Sequence, residues 1–226
     1  WIKNINEIKN GYNIFIANEF FDALPFKQFF KINNQWKERF VTVDKHNNKN
    51  FINLNSNINK IEKSLGFKIS KNQKVIEYSP LAFKYLKNIS KKINYKKGCL
   101  LIIDYGYLNN RMRNTIMAIK KHQSVDVLNK IGESDITYKI NFNILKKITD
   151  RLKLKCQAIT SQKKFLTNLG IHQRAEIITK NLPFSKKADI YYRLKRLVHK
   201  NQMGDLFKVM LVTNKEINFK VGFEID

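Results

Sequence analysis

A short apolar run near the start of the chain, followed directly by carboxylic acids, most constrains the fold. Residues 14–17 (IFIA) are too few for a stable helix and are bounded by Gly11 and polar residues, which predicts a strand buried on both faces. Glu19 and Asp22 follow this run before the chain reaches Pro25. Because ligands of open α/β sheets bind at the carboxyl ends of the strands, we expect a binding site there.

A second buried strand is predicted at residues 99–103, and it also ends in an acid, Asp104. Between the two strands, Ser79 and Pro80 are suited to begin a helix, and apolar residues continue at helical spacing to Ile93. Strand, helix and strand form the crossover unit of a parallel sheet. This order predicts that Glu19 or Asp22 lies near Asp104 at one sheet edge.

Several blocks of sequence resemble one known family. Residues 18–25 read NEFFDALP, which resembles the signature of the MidA-like proteins, a family of class I S-adenosylmethionine-dependent methyltransferases. That family includes the mitochondrial complex I assembly factor that acts as a protein arginine methyltransferase. Further similar blocks are VIEYSP at 75–80, IDYGY at 103–107, GESDIT at 132–137, SQKKFLTNLGI at 161–171 and MGDLFKV at 203–209.

The resemblance implies an α/β fold with the Rossmann-like core of a class I methyltransferase. We expect one partial domain over residues 1–226, corresponding to the C-terminal two-thirds of the family fold, with additional helices. Three β-rich runs, with Asn33-Asn34 as a hairpin signal, predict an inserted antiparallel β-flap at residues 26–54. The flap would either grip a protein substrate or be a structural elaboration. Residues 107–152 are expected to be a family-specific insertion.

Periodicity predicts the remaining segments. Residues 55–74, rich in Asn and Lys, are interpreted as a mobile connector, and residues 75–80 as the start of the helix that Ser79 can cap. The other expected elements are strands at 136–142, 153–159, 207–212 and 218–224, and helices at 143–152, 161–170 and 189–198.

The acids after the first strand suit an arginine acceptor. Carboxylates bind a guanidinium bidentately and can accept its proton, so Glu19 and Asp22 are the candidate catalytic residues. Phe20, Phe21 and Tyr105 would provide flat surfaces on which a guanidinium stacks. The residues alone leave open that these acids only cap a loop. The family resemblance favours the catalytic reading.

Other candidate residues keep two interpretations. Asp104 is either a second substrate-binding acid or a cap on the following loop, and Gln162 either contacts a ligand or caps a helix. Asn18 and Phe20 are expected beside the methyl donor, as the cofactor-binding residues of this chain. The four histidines lack metal-ligand spacing and no C-x-x-C or H-E-x-x-H occurs, so no metal site is expected.

The cofactor S-adenosyl-L-methionine is implied by the resemblance, but its usual glycine-rich loop is not found. The chain has eight glycines, and no two are separated by a single residue. In the family this block lies before the position that matches Trp1. We therefore expect most of the cofactor site in an N-terminal part that is missing here, and this chain alone to be inactive.

The formal charge of +25 would ordinarily indicate nucleic acid as a partner. Lysines outnumber arginines by 36 to 7, however, and arginine is the preferred residue for bidentate phosphate and guanine contacts. We therefore expect no nucleic acid. The family resemblance implies a protein substrate bearing an arginine, with a respiratory complex I subunit as the candidate. The alternative is a non-catalytic assembly factor that binds its partner in the same groove.

The two cysteines and the hydropathy of the chain limit the cellular compartments to be expected. Cys99 and Cys156 lie in apolar runs, which favours reduced thiols over a disulfide. No stretch approaches 18 apolar residues, so no membrane insertion is expected. These features predict a reducing compartment, either the bacterial cytoplasm or the mitochondrial matrix.

Overall fold

A computed structural model describes residues 2–9, 11–121, 123–129, 131–219 and 221–223 of the chain. Within them the strands are β1 (Asn13–Asn18), β2 (Lys27–Ile32), β3 (Gln35–Val43), β4 (Lys49–Asn55), β5 (Val75–Tyr78), β6 (Gly98–Tyr107), β7 (Met117–Lys120), β8 (Gln123–Val125), β9 (Asp135–Thr137), β10 (Ile140–Asn141), β11 (Lys155–Ser161) and β12 (Phe207–Thr213). The α-helices are α1 (Asn59–Leu65), α2 (Pro80–Lys96), α3 (Phe142–Arg151), α4 (Gln162–Asn168), α5 (Ile171–Thr179) and α6 (Phe184–Val198).

The central sheet has the strand order β1-β6-β12-β11, and β10 pairs with the end of β6. β1 runs parallel to β6, from the pair Asn13 and Gly98 to the pair Asn18 and Ile103. β12 is antiparallel to both β6 and β11. The predicted crossover of β1, α2 and β6 is confirmed, and it brings the carboxyl ends of β1 and β6 to one edge.

The two faces of β6 contact different parts of the core. Leu100 and Ile102 belong to the larger apolar cluster, which contains the buried faces of α2 and α3. Leu101 and Ile103 point the other way, towards a smaller cluster built on Phe165 of α4. α2 begins as expected, since the Ser79 hydroxyl accepts a hydrogen bond from the backbone N–H of Ala82.

The prediction that the first strand is buried on both faces is wrong. Ile14 and Ile16 are 77% and 69% exposed. β1 is the last strand of its sheet and pairs only with β6 in the described residues. On the side of Ile14 and Ile16, α4 covers Val209 and Leu211 of β12 but does not reach β1. The sheet therefore has an open edge beside a bare apolar face.

A second sheet, of order β4-β3-β2-β5, forms beside the acids that follow β1. The hairpin predicted at Asn33-Asn34 is confirmed, and both residues have the positive φ (49° and 61°) that its tight turn requires. Val75–Tyr78 is the fourth strand of this sheet rather than the start of a helix, because it pairs with β2. We call β2, β3 and β4 the flap; its assignment as an insertion at residues 26–54 stays a prediction, as does that of residues 107–152.

Three further expectations need correction, and a fourth, that Gly170 closes a helix, is confirmed. Residues 55–74 are not a mobile connector, since they contain α1 and the buried side chains of Leu65 and Ile69. The helix expected at 189–198 begins five residues earlier, at Phe184. α5 follows Gly170 directly, and Gly170 has the expected left-handed backbone. Of the strand expected at 218–224, residues 218–219 and 221–223 are not in a strand, and the others lie outside the described residues.

β7, β8 and β9 form a small third sheet in the order β8-β7-β9, which packs near the acids after β1. Among the helices of the described ranges, none is both long and apolar enough to cross a bilayer.

Candidate active site

The backbone turns sharply as β1 ends. Glu19 has a positive φ of 46°, which is uncommon for a residue with a side chain and costs conformational energy. Its N–H donates to the carbonyl of Ile103 at 2.9 Å, which continues the pairing with β6 for one more residue. We call residues 19–25 the acid loop. Non-glycine residues held in this conformation are concentrated at functional sites.

Asp104 of β6 fixes the shape of the acid loop. Its Oδ2 accepts hydrogen bonds from the backbone N–H of Phe21 at 2.9 Å and of Asp22 at 3.3 Å, and its Oδ1 accepts one from Tyr105 at 2.9 Å. The side chain is completely buried, and β6 continues for three residues beyond it. Asp104 is therefore within the strand, not at its end, and its oxygens already serve the backbone of the protein. The prediction that it binds substrate is not supported by this geometry.

Burial, and secondarily the negative charge of Asp22, raise the pKa of Asp104 to about 8. The three N–H donors favour the ionised form and oppose this rise. Burial outweighs these donors, so Asp104 holds its proton more tightly than an exposed aspartate does.

Asp22 has one carboxylate oxygen engaged and one free. Its Oδ2 accepts a hydrogen bond from the Thr137 hydroxyl at 2.9 Å. Its Oδ1 is buried and has no hydrogen-bond partner in the part of the chain that the structure describes. A buried acceptor without a donor is costly, so this oxygen needs a donor that the described residues do not supply, either a water molecule or a bound ligand.

Glu19 and Tyr105 complete the cluster at this edge. The Glu19 side chain is exposed at the rim. Burial raises the pKa of the Tyr105 hydroxyl, the nearby charges of Glu19 and Asp22 raise it further, and Arg196 of α6 acts in the opposite direction. These effects place Glu19, Asp22 and Arg196 each within electrostatic range of Tyr105.

The three aromatic candidates differ in what they could contact. The Tyr105 ring is half-buried and lies 4.0 Å from that of Phe207. Phe20 is half-buried between the edges of Phe21 and Tyr85, with both ring centroids at 5.2 Å. Phe21 is almost completely buried in the larger core cluster, so the expectation that it stacks on a guanidinium is wrong. Its role is to anchor the acid loop.

Gln162 lies at the same end of the sheet but contacts the protein itself. It follows Ser161, which pairs with Lys208 of β12, next to the pair of Phe207 and Tyr105. Its buried side-chain amide donates to the carbonyl of Leu197 in α6 at 3.0 Å. Ser161, rather than Gln162, caps α4. Gln162 therefore attaches the end of α6 beside the site.

A second acid, the partly buried Glu77 of β5, joins the flap to the rest of the protein. Its carboxylate accepts hydrogen bonds from the Gln28 amide at 2.8 Å, the Thr115 N–H at 2.9 Å and the Thr115 hydroxyl. The Thr115 hydroxyl also accepts a bond from the N–H of Lys139 at 2.9 Å. Burial raises the pKa of Glu77. This network holds the flap in a fixed position relative to the acid loop.

Sequence reasoning did not assign a role at the site to Thr137, Arg196 or the Glu77 network. Thr137 lies in the GESDIT block, so its motif marked the residue but not its partner, Asp22. Asn18 is exposed at the end of β1, the strand that has no second neighbour among the described residues. The structure thus brings together Glu19, Asp22, Asp104 and Tyr105 at one edge, and leaves Phe21 and Gln162 with structural contacts.

Comparison with known proteins gives consistent results. Residues 1–160 match the family described as "Putative S-adenosyl-L-methionine-dependent methyltransferase". The chain is 28% identical over 214 residues to "Protein arginine methyltransferase NDUFAF7, mitochondrial" of Danio rerio, covering 95% of this chain and 50% of the relative. The Homo sapiens protein of that name is 26% identical over 209 residues, covering 92% and 46%. The chain therefore spans about half the length of these curated relatives.

Two solved structures from Burkholderia thailandensis have the same fold. An uncharacterised protein superimposes with a TM-score of 0.76 at 21% identity, covering 96% of this chain and 59% of the other. A second protein, which belongs to the same superfamily as the first and is bound to S-adenosyl-homocysteine, superimposes with a TM-score of 0.72 at 21% identity. This match covers 95% of this chain and 55% of the other. These comparisons confirm the resemblance and the Rossmann-like methyltransferase fold drawn from the sequence motifs.

Proposed function

Since the chain belongs to the family of S-adenosyl-L-methionine-dependent methyltransferases, we propose that it is the substrate-binding part of an enzyme that methylates an arginine of a protein. The observation that carries this proposal is the buried, unpartnered Oδ1 of Asp22 at the edge where Glu19 and Tyr105 also lie. The names of the curated relatives support arginine as the acceptor.

The proposed roles follow from the hydrogen bonds of each acid. Thr137 holds Oδ2 of Asp22, so Oδ1 would accept an N–H of the substrate guanidinium. Glu19, exposed at the rim, would accept a second N–H and take up the proton that the reacting nitrogen loses. Asp104 does not compete for the guanidinium, because its oxygens are bonded to the backbone. Tyr105 would form one wall.

S-adenosylmethionine, when bound, supplies an electrophilic methyl group on its sulfonium. The residues present fit only part of this cofactor. Asn18 and Phe20, at the end of β1, would flank the methyl donor, but the chain has no G-x-G turn. We therefore propose that most of the cofactor site is supplied by polypeptide outside residues 1–226, and that this chain alone is inactive.

The open edge of β1 supports that proposal. Parallel strands are normally covered on both faces, and a long apolar edge strand invites pairing with another strand. β1 exposes Ile14 and Ile16 and has no second neighbour within the described ranges. The curated relatives are about twice as long as this chain, so they contain enough additional polypeptide to cover this edge.

Two further proposals concern the compartment of the protein and the identity of its substrate. The mitochondrial relatives support the mitochondrial matrix, or the cytoplasm if the source is bacterial. The resemblance to the assembly-factor family suggests a respiratory complex I subunit as the substrate.

Calorimetry with S-adenosylmethionine tests the proposal, on this chain and on a version extended upstream to include a glycine-rich block. We expect binding by the extended protein only. In that protein, Glu19→Ala and Asp22→Asn should each lower methyl transfer to a protein arginine by about 10² or more. Glu176→Gln, an exposed acid on α5, is the control and should leave the rate unchanged. Cofactor binding by neither form would favour the non-catalytic assembly factor. Full activity of Glu19→Ala would instead show that the role proposed for Glu19 is wrong.

A further inference from the structure

A groove runs between the flap and the acid loop. One wall is formed by Leu24 and Pro25 of the acid loop, and the other by Val41 of β3 and Phe51 of β4. Ile116 and Ile136, before and within the small third sheet, close its end. The lining side chains are predominantly apolar although the groove is open to solvent.

The apolar residues of the flap wall form a continuous surface. Val41 and Phe51 are directly paired in the antiparallel register of β3 and β4, so their side chains lie side by side on one face. Val41 is 50% exposed, and Ile136 opposite is 43% exposed. Exposed apolar surface that lines a groove is typical of a binding site rather than of a free surface.

The floor of the groove is rigid. The Arg39 guanidinium lies 4.0 Å from the ring centroid of Phe30 and 4.8 Å from that of Phe51. It donates to the Gln28 side chain at 3.3 Å, and Gln28 in turn donates to Glu77. These contacts hold the Phe51 ring of β4 against Arg39 of β3, and they link β2 of the flap to β5. The groove is therefore preformed, and it offers a cation to a carbonyl or carboxylate of a ligand.

Two residues of the groove lie next in sequence to the candidate acid and to its hydrogen-bond partner. Ala23 lines the groove and follows Asp22 in sequence. Ile136, at the end of the groove, precedes Thr137, whose hydroxyl donates to Asp22. Because an extended chain advances about 3.3 Å per residue, a peptide with its arginine at Asp22 would place its next two or three residues in the groove.

We propose that this groove binds the extended segment that flanks the target arginine, and that it selects apolar side chains within three residues of that arginine. The inference rests on the proposed function for the identity of the occupant, a polypeptide bearing an arginine. It adds which chemistry the enzyme would prefer next to that arginine.

Peptide binding to this chain tests the inference without methyl transfer. The probe is a fluorescent eleven-residue peptide with a central arginine and leucines alternating with threonines on both sides; its control has serine at every leucine. We expect fluorescence anisotropy to show at least tenfold tighter binding of the leucine peptide. Equal binding of the two peptides, or no binding of either, would overturn the inference.

Two matched variants locate the binding. Val41→Asp places a charge in the groove and should weaken the leucine peptide at least tenfold. Val43→Asp is the control, because Val43 lies on the same face of β3, is 55% exposed and does not line the groove. Both sites are exposed, so both variants should fold, which circular dichroism will verify. Equal loss in both variants would contradict the inference, as would a dimer of the chain that only Val41→Asp dissociates.

The same assay separates this inference from the proposed function. A leucine peptide with glutamine instead of arginine, and the Asp22→Asn variant, both test recognition of the guanidinium. If these changes have no effect while Val41→Asp still weakens binding, the groove selects apolar segments but the assignment of Asp22 is wrong. If they weaken binding and Val41→Asp does not, the assignment of Asp22 stands and the groove inference fails.

Discussion

The carboxylate of Asp104 accepts a hydrogen bond from the backbone N–H of Phe21 at 2.9 Å, across 83 positions of sequence. A side chain within β6 thus determines the conformation of the loop that follows β1. The free oxygen of Asp22 occupies its position because this loop is held from the neighbouring strand and by Thr137. The geometry of the candidate site depends on residues that would not themselves touch a substrate.

Replacing Asp104 tests this dependence. Asp104→Asn leaves one acceptor oxygen for three N–H groups, so we expect the free energy of unfolding at pH 5 to fall by about 1–3 kcal/mol. Urea denaturation measures this change. Asp126→Asn is the control, since Asp126 is exposed and its carboxylate accepts from the nearby backbone N–H of Leu128. The free energy of unfolding of this variant should stay within about 0.5 kcal/mol of the wild-type value.

The difference in stability between wild type and Asp104→Asn should also depend on pH, and the raised pKa of Asp104 gives the sign of this dependence. The pKa of Asp104 is raised from 3.8 to about 8 in the folded protein, so the folded state binds more protons than the unfolded state between these values. Its contribution to stability is complete below about pH 4 and is lost as the pH rises through 8. The difference between wild type and Asp104→Asn should therefore be smaller at pH 8 than at pH 5. A difference that grows with pH would show that Asp104 is ionised in the fold.

Local sequence rules predicted the parallel pair β1 and β6 because each part of the unit, an apolar run followed by an acid or a capped helix, is marked by neighbouring residues. The role of Asp104 could not be predicted in this way. An acid after a strand can accept from a ligand or from backbone N–H groups, and its donors here come from Phe21 and Asp22, far along the chain. Only the folded arrangement distinguishes the two.

Burial and strand pairing set a similar limit. The composition of residues 14–17 predicts a strand but not which elements cover it, and Ile14 and Ile16 are exposed because no described element lies over that part of the sheet. Val75–Tyr78 precedes a well-capped helix, and its pairing with β2 of the flap makes it a strand. Tertiary contacts decide both cases.

The hydrogen-bond network around Glu77, which joins the flap to the rest of the protein, can be tested by a substitution at Thr115. Thr115→Val keeps the shape of the side chain but removes the hydroxyl that donates to Glu77 and accepts from the Lys139 N–H. Because this leaves buried polar groups with fewer partners, we expect a loss of about 1–3 kcal/mol in urea denaturation. Thr42→Val on β3, where no side-chain hydrogen bond is found among the described residues, should change stability by less than about 0.5 kcal/mol. Equal effects of both variants would mean that the network contributes no stability.

Gln162 should control the mobility of the end of α6. Gln162→Leu removes the amide that donates to Leu197, whose carbonyl is one of the last in its helix and has no partner within that helix. We expect hydrogen exchange at residues 194–199 to be several-fold faster, while β6 and β12 stay protected. Gln173→Leu on α5 is the exposed control and should leave these rates unchanged. If Gln162→Leu also leaves them unchanged, Gln162 does not attach α6, and a ligand-binding role becomes the better interpretation.

The open edge of β1 predicts that one substitution has different effects in two forms of the protein. In this chain Ile16→Lys should cost less than about 0.5 kcal/mol, because Ile16 is 69% exposed and its replacement removes little buried apolar surface. In a version extended upstream, where we expect a further strand and helix to cover β1, the same lysine would be buried without a partner and should cost 2 kcal/mol or more. Ile52→Lys on the edge strand β4 is the control, since it lies on the flap and should have the same small effect in both forms. Urea denaturation of all three proteins in both lengths measures the difference. A small effect of Ile16→Lys in the extended protein would show that β1 faces water there too, and that the additional polypeptide packs elsewhere.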